Sequence, residues 1–472
     1  MMLRLSSTAQ RLPARPSRLI RAATLQPSGT LEASPLMVSC VVSSGIVSSG
    51  MSLRYIAYRG PTDPDSRGPP SLQVRPCLVL VTVARSSQVG KAPSVGTSDS
   101  GSGLQQARAT INLTALRHNY RQVLGLLSGS DTTVIAMVKA NAYGHGAARV
   151  TRALVDEGCT TFGVATLEEA RELIEESACA AEQIIVFGGV LPGSAAAAVA
   201  LGVQVAAHSE ATVQALAREA TAVGREVAVH IKVDTGMHRL GVEPEQAGRF
   251  ARLLADTEGT RPVALCSHFA QAESVIGSVT EGQLEALLLA DRLVRDEGME
   301  LTRHLANSAG VMTRPEAWLD RVRPGIMLYG LYPDSSLLGK VELKPVMTLE
   351  APVLRVAELG SGQGIGYGHS FHTTRPSRVA TLRCGYADGY PRALGNRGRV
   401  LLGGGLAPVV GRVCMDHTVV DVTDLGEVRE GDSAVMWGDS PSTEDVAVAA
   451  ETISYELVAR VGARVERRYK DD

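Results

Sequence analysis

Lys139, Lys232, His268 and Arg323 each lie in, or directly after, a short apolar run with the length of a β-strand. A lysine at the end of a buried strand is unfavourable unless it is paired or used in chemistry. Burial lowers the pKa of its amine and frees the nitrogen lone pair, so the amine can form an imine with a carbonyl compound. Lys139 is therefore the first candidate for covalent chemistry, although such a lysine standing alone is more often a salt-bridge partner.

Two further residues favour a phosphate site. Ser308 follows the apolar run 301–305, and Gly325 lies within the run 322–327. If these runs are the last two strands of an eight-stranded barrel, the loops after them are the usual place where such barrels bind phosphate. Singly, Ser308 fits a helix cap and Gly325 a turn. Together with Lys139 they indicate one site that holds an imine-forming lysine and a phosphate cradle.

The elements that must position these residues form a regular series. Between residues 107 and 342, eight strand-length apolar runs alternate with helical stretches, and this alternation predicts a (β/α)8 TIM barrel. Barrel enzymes place their active sites at the carboxyl ends of the strands, where the residues above fall. The predicted strands are 134–138, 161–164, 183–187, 203–206, 226–233, 262–268, 301–305 and 322–327.

Local signals predict how this series begins. Residues 110–113 alternate like a short strand, and Thr114 is expected to cap the first helix. Thr166 and Glu169 have the spacing of a capping box, in which each side chain accepts a backbone N–H of the other residue.

Residues 343–472 predict a separate, mostly β domain with Gly-rich turns and one helix at 447–460. Its predicted strands are 346–358, 378–384, 398–402, 408–415, 419–422 and 433–437.

Residues 1–106 differ in composition and predict a disordered leader. Residues 1–60 contain seven arginines, many serines and a single acid, Glu32, which suits a transit peptide. The alternative is an over-extended reading frame. Residues 60–105 are rich in Gly, Pro and Ser, as linkers are. We expect a mitochondrial or plastid protein if the leader is a transit peptide, and a cytoplasmic protein otherwise.

The bulk composition excludes several classes of function. A formal net charge of −2 and 4% aromatic residues argue against nucleic-acid binding. The seven cysteines form no C-x-x-C pair, so no metal site is expected. No apolar run approaches the roughly 20 residues that a membrane span needs.

Four motifs carry a resemblance to a known family: V-K-A-N-A-Y-G-H-G at 138–146, D-T-G-M-H-R-L-G at 234–241, G-Y-A-D-G-Y-P-R at 385–392 and G-R-V-C-M-D at 411–416. In this order and over residues 109–469, the chain resembles bacterial-type alanine racemases. These are fold type III enzymes that use pyridoxal 5'-phosphate (PLP). The resemblance implies interconversion of L-alanine and D-alanine by a homodimer that shares its active sites between subunits.

The resemblance also implies roles for individual residues. Lys139 would form the Schiff base with PLP and act as one acid/base, and Tyr386, from the partner subunit, would act as the other. Lys232 matches a lysine that is often carbamylated. Substrate contacts are implied for Arg239, Met415 and Asp416, the last two again from the partner. Cofactor contacts are implied for Lys139, Tyr143, Arg239, His268, Ser308, Arg323, Gly325, Ile326 and Tyr455.

The implied chemistry is physically coherent. Racemisation removes the α-proton from one face and returns it to the other, which one base cannot easily do alone. A free tyrosine has a pKa of about 10, so Tyr386 needs a stabilised anion, and a His268–Arg323 relay is expected to provide it. Arg323 opposite the pyridine nitrogen would leave that nitrogen largely unprotonated, because arginine does not readily give up a proton.

Three alternatives remain at this point. A serine or broad-specificity racemase of the same family is the main one, although Tyr455 and Met415 should leave room for little beyond a methyl side chain. A PLP-dependent decarboxylase of similar architecture would lack the run 385–392. A single-domain PLP-binding homeostasis protein would have the barrel alone, without Tyr386.

Overall fold

The first hundred residues contribute little to the described structure. Most of the predicted leader lies outside the described residues, but Ser44–Ile46 and Ser52–Arg54 pair as antiparallel strands, which the sequence did not predict. None of the helices in the described part of the chain is long and apolar enough to cross a membrane. The computed structural model describes residues 44–46, 52–54, 105–176, 179–273 and 278–471.

A closed parallel barrel forms as predicted, and its strands pair in chain order. The first strand is interrupted at Ile135. Its first half pairs with the last strand and its second half with the second strand, so the sheet closes on itself. The eight barrel strands are Thr133–Val134 with Ala136–Met137, Phe162–Val164, Ile184–Val186, Gln204–Ala207, Val227–Lys232, Thr260–Cys266, Thr302–His304 and Arg321–Val322.

Helices alternate with these strands. The predicted helix cap at Thr114 is wrong, because Asn112 precedes the first helix and its side chain accepts the Ala115 N–H at 2.9 Å. The α-helices of this part are Leu113–Leu126, Ala147–Asp156, Leu167–Glu176, Ala195–Leu201, Glu210–Ala222, Ala247–Asp256, Ser278–Asp296 and Ser308–Thr313, whereas the helical turn Lys139–Tyr143 is mostly left-handed. The 3-10 turns here are Ala181–Gln183, Pro192–Ser194, Pro244–Gln246, Pro315–Ala317, Ile326–Tyr329 and Ser335–Leu337.

Two barrel strands end earlier than predicted. Strand six ends at Cys266, so His268 lies in the loop beyond it. Strand eight ends at Val322, and Arg323 begins the following loop. Pro324 has no N–H to donate to a sheet, and Ile326 already starts a 3-10 turn. Both functional candidates therefore stand on loops at the carboxyl end of the barrel.

The mostly β part also forms as predicted, with differences in detail. The predicted strand 408–415 is wrong. The strand in this region is Gly405–Pro408, which pairs in a hairpin with Arg399–Leu402. The single predicted helix is two helices, Thr443–Ala449 and Ser454–Ala459, separated near Glu451, whose φ is 58°. The other strands are Met347–Leu359, Gly364–Ile365, Phe371–His372, Ser377–Leu382, Thr418–Asp421, Ser433–Trp437 and Glu466–Lys470, with 3-10 turns Tyr367–His369 and Arg392–Leu394.

The strand that precedes the barrel belongs to the sheet of the mostly β part. Strand Arg108–Asn112, which precedes the barrel, pairs antiparallel with Met347–Leu359 and parallel with Glu466–Lys470. Two fully buried histidines, His230 and His304, lie on barrel strands whose other buried side chains are mostly aliphatic. Burying a polar side chain costs free energy unless it is hydrogen-bonded, so we expect both histidines to belong to a hydrogen-bond network.

Candidate active site

A cavity of about 500 Å³ opens at the carboxyl ends of the barrel strands. Its walls include Phe187 and Lys232, and also every residue to which the sequence assigned a cofactor contact. These residues are Lys139, Tyr143, Arg239, His268, Ser308, Arg323, Gly325, Ile326 and Tyr455. Residues more than 300 positions apart in the chain, Lys139 and Tyr455, thus meet at one place.

Lys139 begins a short left-handed segment, Lys139–Tyr143, which we call the lysine turn. Ala140, Asn141, Ala142 and Tyr143 all have φ between 51° and 53°. Each L-residue in this conformation costs about 1–2 kcal/mol, so the surrounding structure must hold the turn.

Side chains of the turn and its neighbour supply part of that support. The Asn141 side chain accepts the Ala147 N–H at 2.7 Å, which starts the next helix. His145 donates from Nδ1 to the carbonyls of Ala142 and Tyr143 at 3.0 and 2.8 Å. Asparagine is among the few residues that adopt left-handed φ readily, which suits its place in the motif.

Gly144 and Gly146 are glycines for a steric reason. A Cβ on Gly144 would lie 1.9 Å from the carbonyl oxygen of Val458, and one on Gly146 would lie 1.8 Å from the Tyr469 hydroxyl. Both residues also have positive φ, of 83° and 95°. The carboxyl-terminal segment therefore packs directly on the lysine turn, and the G-H-G part of the motif makes room for it.

The electrostatics of the cavity lower the pKa of two lysine amines. Burial lowers the pKa of Lys139, and the positive charges of Arg239 and Arg323 lower it further, against the opposing effect of Glu169. Burial also lowers the pKa of Lys232 to about 8. A lowered pKa makes it easier for a lysine to release its proton and expose the lone pair that imine formation requires.

The cavity wall also offers hydrogen-bond donors for an oxyanion. Ser308 lies against Gly325, whose N–H donates to the Ser308 hydroxyl at 2.8 Å. A Cβ on Gly325 would lie 2.4 Å from the Tyr143 hydroxyl, so only glycine fits there. Burial raises the pKa of Tyr143 and of Tyr455, so both phenols keep their protons and can donate. Hydroxyls such as these are donors from which a phosphate can accept hydrogen bonds.

Arg323 is buried at 6% exposure and is held by a dense set of acceptors. Its Nη1 donates to Nδ1 and to the carbonyl of His304, at 2.6 and 2.7 Å. Its Nη2 donates to the carbonyl of Leu305 at 3.0 Å and lies 3.5 Å from His268 Nδ1. The expected relay from Arg323 to His268 is thus a long contact, and His304 is the stronger partner.

The donors fix the tautomers of the two buried histidines. A guanidinium only donates, so His304 Nδ1 accepts and its Nε2–H donates to His230 Nδ1 at 2.9 Å. His230 Nε2–H then donates to the side-chain oxygen of Gln204 at 2.9 Å. Burial, and next the charge of a nearby arginine, lowers the pKa of both histidines, to about 3 for His230. The neutral chain therefore orients Arg323 from inside the barrel.

Tyr386, Met415 and Asp416 form a second group, which does not line the cavity of the same chain. Tyr386 and Met415 are 43% and 53% exposed, which is unusual for large side chains of these types. Their loops are joined, because the Tyr386 N–H donates to the Cys414 carbonyl at 3.0 Å. Arg464 forms ion pairs with Asp388 and Asp416, at 2.7 and 2.8 Å. This second group is a preformed, exposed cluster.

Three residues of these networks were not found from the sequence as functional residues. His304 ends strand seven, so the strand-end argument that singled out His268 would have found it. Glu169 carried a signal, but only as part of a capping box. Arg464 had none, because its partners Asp388 and Asp416 are remote in sequence.

Comparison with known proteins identifies the family. Residues 111–333 match the model of the alanine racemase N-terminal domain, and residues 346–469 match that of the C-terminal domain. The alanine racemase of Chlorobaculum tepidum is 39% identical over 368 residues, 77% of this chain and 96% of that protein. The biosynthetic alanine racemase of Pseudomonas aeruginosa is 41% identical over 369 residues, 76% and 98% of the two chains.

Solved structures agree with these sequence matches. The alanine racemase from Streptomyces coelicolor A3(2) superposes with a TM-score of 0.74 at 34% identity, covering 78% of this chain and 98% of that one. The alanine racemase from Bartonella henselae, solved with covalently bound pyridoxal phosphate, gives a TM-score of 0.70 at 33% identity over 77% and 99%. On the strength of both domain matches and these relatives, this chain belongs to the alanine racemase family.

Proposed function

We propose that the protein is a PLP-dependent alanine racemase, which interconverts L-alanine and D-alanine. The observation that carries this proposal is the position of Lys139, a lysine of lowered pKa that faces a hydroxyl- and arginine-lined cavity. The relatives are named alanine racemases, and one was solved with covalently bound PLP. They support this function and not a serine or broad-specificity racemase.

The residues present fit PLP. The amine of Lys139 is suited to bind the aldehyde carbon, and Arg239 to contact the phenolic oxygen. The phosphate would be held by Tyr143, Ser308 and Tyr455 together with the backbone at 325–326. The steric need for glycine at Gly325, beside the Tyr143 hydroxyl, supports a tight cradle there.

Arg323 would face the pyridine nitrogen. Burial lowers the pKa of Arg323 to about 10, which still leaves it charged near neutrality. All of its hydrogen bonds are donated, so it offers no proton acceptor and presents a fixed positive charge. A charged donor in this place would keep the nitrogen unprotonated, which would weaken the ring as an electron sink and restrict side reactions such as transamination.

When bound, PLP supplies an electron-withdrawing ring that acidifies the α-hydrogen of the attached amino acid. The residues of the chain then divide the proton transfer. Lys139 holds or releases a proton on one side of the α-carbon, and Tyr386 does the same on the other. Arg239, Met415 and Asp416 would bind the substrate near its carboxylate, with Met415 limiting the side chain to about the size of a methyl group.

The second acid/base would come from a partner subunit. Tyr386, Met415 and Asp416 lie outside the cavity of their own chain, and Tyr386 and Met415 are exposed, as expected of residues that complete the site of a second copy. We therefore propose a homodimer in which each cavity receives Tyr386, Met415 and Asp416 from the other subunit.

Subunit mixing tests the shared site. Lys139→Ala and Tyr386→Ala subunits are each inactive alone, but a hybrid dimer would regain one complete site. Random mixing should then restore about a quarter of the wild-type activity, because half of the dimers are hybrids with one working site each. Mixed subunits that form hybrids without regaining activity would contradict a shared site.

The division into a barrel at 107–342 and a β domain at 343–472, after a leader at 1–106, remains our proposal for the domain organisation. A mitochondrial or plastid location is proposed only on the composition of residues 1–60, with the cytoplasm as the alternative if translation starts later.

The reaction and its specificity can be tested together. In deuterium oxide, the enzyme should exchange the α-hydrogen of L-alanine while it forms D-alanine, and it should do so much faster than with L-serine or larger amino acids. Chiral chromatography with mass spectrometry measures both events. Exchange without inversion, or a preference for serine, would overturn the proposal.

A further inference from the structure

We propose that Glu169 is a positioning residue, which fixes the lysine turn and thereby directs Lys139 into the cavity. Glu169 lies in the first turn of helix Leu167–Glu176, which follows barrel strand two. Its carboxylate accepts the N–H of Ala140 through Oε1 and that of Ala165 through Oε2, each at 2.7 Å. One carboxylate therefore joins the loops that follow barrel strands one and two. The inference rests on the proposed function and adds a residue to it.

The geometry departs from an ordinary helix cap. In a capping box, a glutamate at this position accepts the N–H of the capping residue, here Thr166. Half of the box is present, because the Thr166 hydroxyl accepts the Glu169 N–H at 3.2 Å. The Glu169 carboxylate instead accepts the N–H one residue earlier, at Ala165, and this leaves its second oxygen free for Ala140. A capping role alone does not account for that second bond.

The bond to Ala140 is made at the point where the chain changes handedness. Val138 has an ordinary negative φ, and Ala140 is the first residue of the lysine turn with a positive φ. Ala142 and Gly144 donate their N–H groups to carbonyls within or just before the turn. The N–H of Ala140 points instead to Glu169, so the carboxylate secures the end of the turn that carries Lys139.

The charge of Glu169 gives it a second effect on the same lysine. Burial and the cations Arg239 and Arg323 lower the pKa of Lys139, and the negative charge of Glu169 opposes them. The other titratable side chains of the cavity are Lys232, His268, Tyr143 and Tyr455. Glu169 is the acid whose charge raises the pKa of Lys139, so it moderates a site otherwise rich in positive charge.

Two substitutions separate the roles of geometry and charge. Glu169→Gln keeps the size, but its amide nitrogen can only donate, so one backbone N–H loses its acceptor and the charge is lost. Glu169→Asp keeps the charge but is too short to accept both N–H groups. Glu168→Gln is the matched control, because it removes the same charge from the adjacent, exposed position of the same helix.

The readout is made on the apoenzyme. The pKa of the Lys139 amine is measured by competitive acetylation with trace acetic anhydride across a pH series and peptide mass spectrometry. PLP loading is followed by the absorbance of the lysine imine. Glu169→Gln should shift the Lys139 pKa downward and weaken PLP binding by about tenfold, the effect of losing one charge-assisted hydrogen bond. Glu169→Asp should leave the amine pKa near that of the wild type but weaken binding, and Glu168→Gln should change neither.

The outcomes distinguish this inference from the proposed function. A wild-type protein that neither binds PLP nor racemises alanine would overturn the function itself. If the wild type does both, a Glu169→Gln protein with unchanged amine titration and PLP affinity would overturn the role of Glu169. Should Glu169→Gln fail to fold, Glu169→Asp still decides, because wild-type PLP affinity in that variant would exclude a positioning role.

Discussion

Arg323 donates from a single guanidinium nitrogen to both the side-chain Nδ1 and the backbone carbonyl of His304, at 2.6 and 2.7 Å. His304 ends barrel strand seven and Arg323 directly follows strand eight, its neighbour in the barrel, so the pairing of these strands sets their distance. Through His230 and Gln204, the same chain of hydrogen bonds runs across the barrel interior. The orientation of Arg323 toward the cofactor site is thus set from within the core.

Replacing His304 should therefore affect both stability and catalysis. In His304→Leu, a buried Arg323 donor loses its side-chain acceptor, which should lower the free energy of unfolding by about 1–3 kcal/mol and reduce kcat. His304→Gln offers an oxygen acceptor and should be milder on both counts. Urea unfolding and steady-state kinetics measure the effects, with the exposed His372→Gln as control. Equal stability and kcat for His304→Leu and the wild type would contradict the assigned role.

Stability should fall in mildly acidic solution. Burial lowers the pKa of His145 to about 4 and that of His230 to about 3, below the ordinary value of 6.5. At a pH between the pKa of each histidine in the folded protein and the ordinary value of 6.5, the unfolded chain binds more protons than the folded protein. The free energy of unfolding should therefore have its full value above about pH 6.5 and should decrease as the pH falls toward 4. The slope is up to about 1.4 kcal/mol per pH unit for each histidine.

Urea unfolding at pH values of about 7, 6 and 5 measures this dependence. His145→Asn should show a shallower slope than the wild type, because it removes one of the titrating groups. A free energy of unfolding that stays constant across this range would show that the histidines do not titrate as their burial requires.

Gly146→Ala should be more harmful than an alanine at another left-handed glycine. Gly158 has a similar φ of 87° with open space around it, so Gly158→Ala should cost only the conformational penalty, about 1–2 kcal/mol. At Gly146 the new methyl group also meets the Tyr469 hydroxyl, which adds about 1–3 kcal/mol. Thermal unfolding compares the two. Tyr469→Phe should partly rescue Gly146→Ala, and absence of any rescue would argue against this clash.

Replacing Lys139 and replacing Tyr386 should impair different properties of the enzyme. Lys139→Ala should abolish the covalent PLP adduct, seen as the loss of cofactor trapped by borohydride. Tyr386→Ala should retain the adduct but lose about 10²–10⁴-fold in kcat, more for one enantiomer as substrate than for the other. Visible absorbance and kinetics in both directions provide the measurements. Unchanged kinetics of Tyr386→Ala in both directions would contradict the assignment of two bases.

The sequence by itself predicted the barrel and the β-rich second part, and its family resemblance implied nine of the residues that line the cavity. Alternating apolar runs record which positions are buried, and strand ends in a parallel barrel must meet at one rim. The motif at 138–146 also specified its own backbone, since Asn141, Gly144 and Gly146 suit the left-handed conformations that they adopt. Such local preferences are carried by adjacent residues and can be read without a structure.

Only the tertiary structure decided which polar groups pair. Glu169 reaches Ala140, Arg323 reaches His304, and Arg464 joins the two loops that carry Tyr386 and Asp416. Each of these contacts requires segments remote in sequence to be placed to within a few tenths of an ångström, and no local pattern encodes that placement. The same holds for the separation of Tyr386 from the cavity of its own chain. It arises from the path of the whole chain and is the reason why we propose a second subunit at the site.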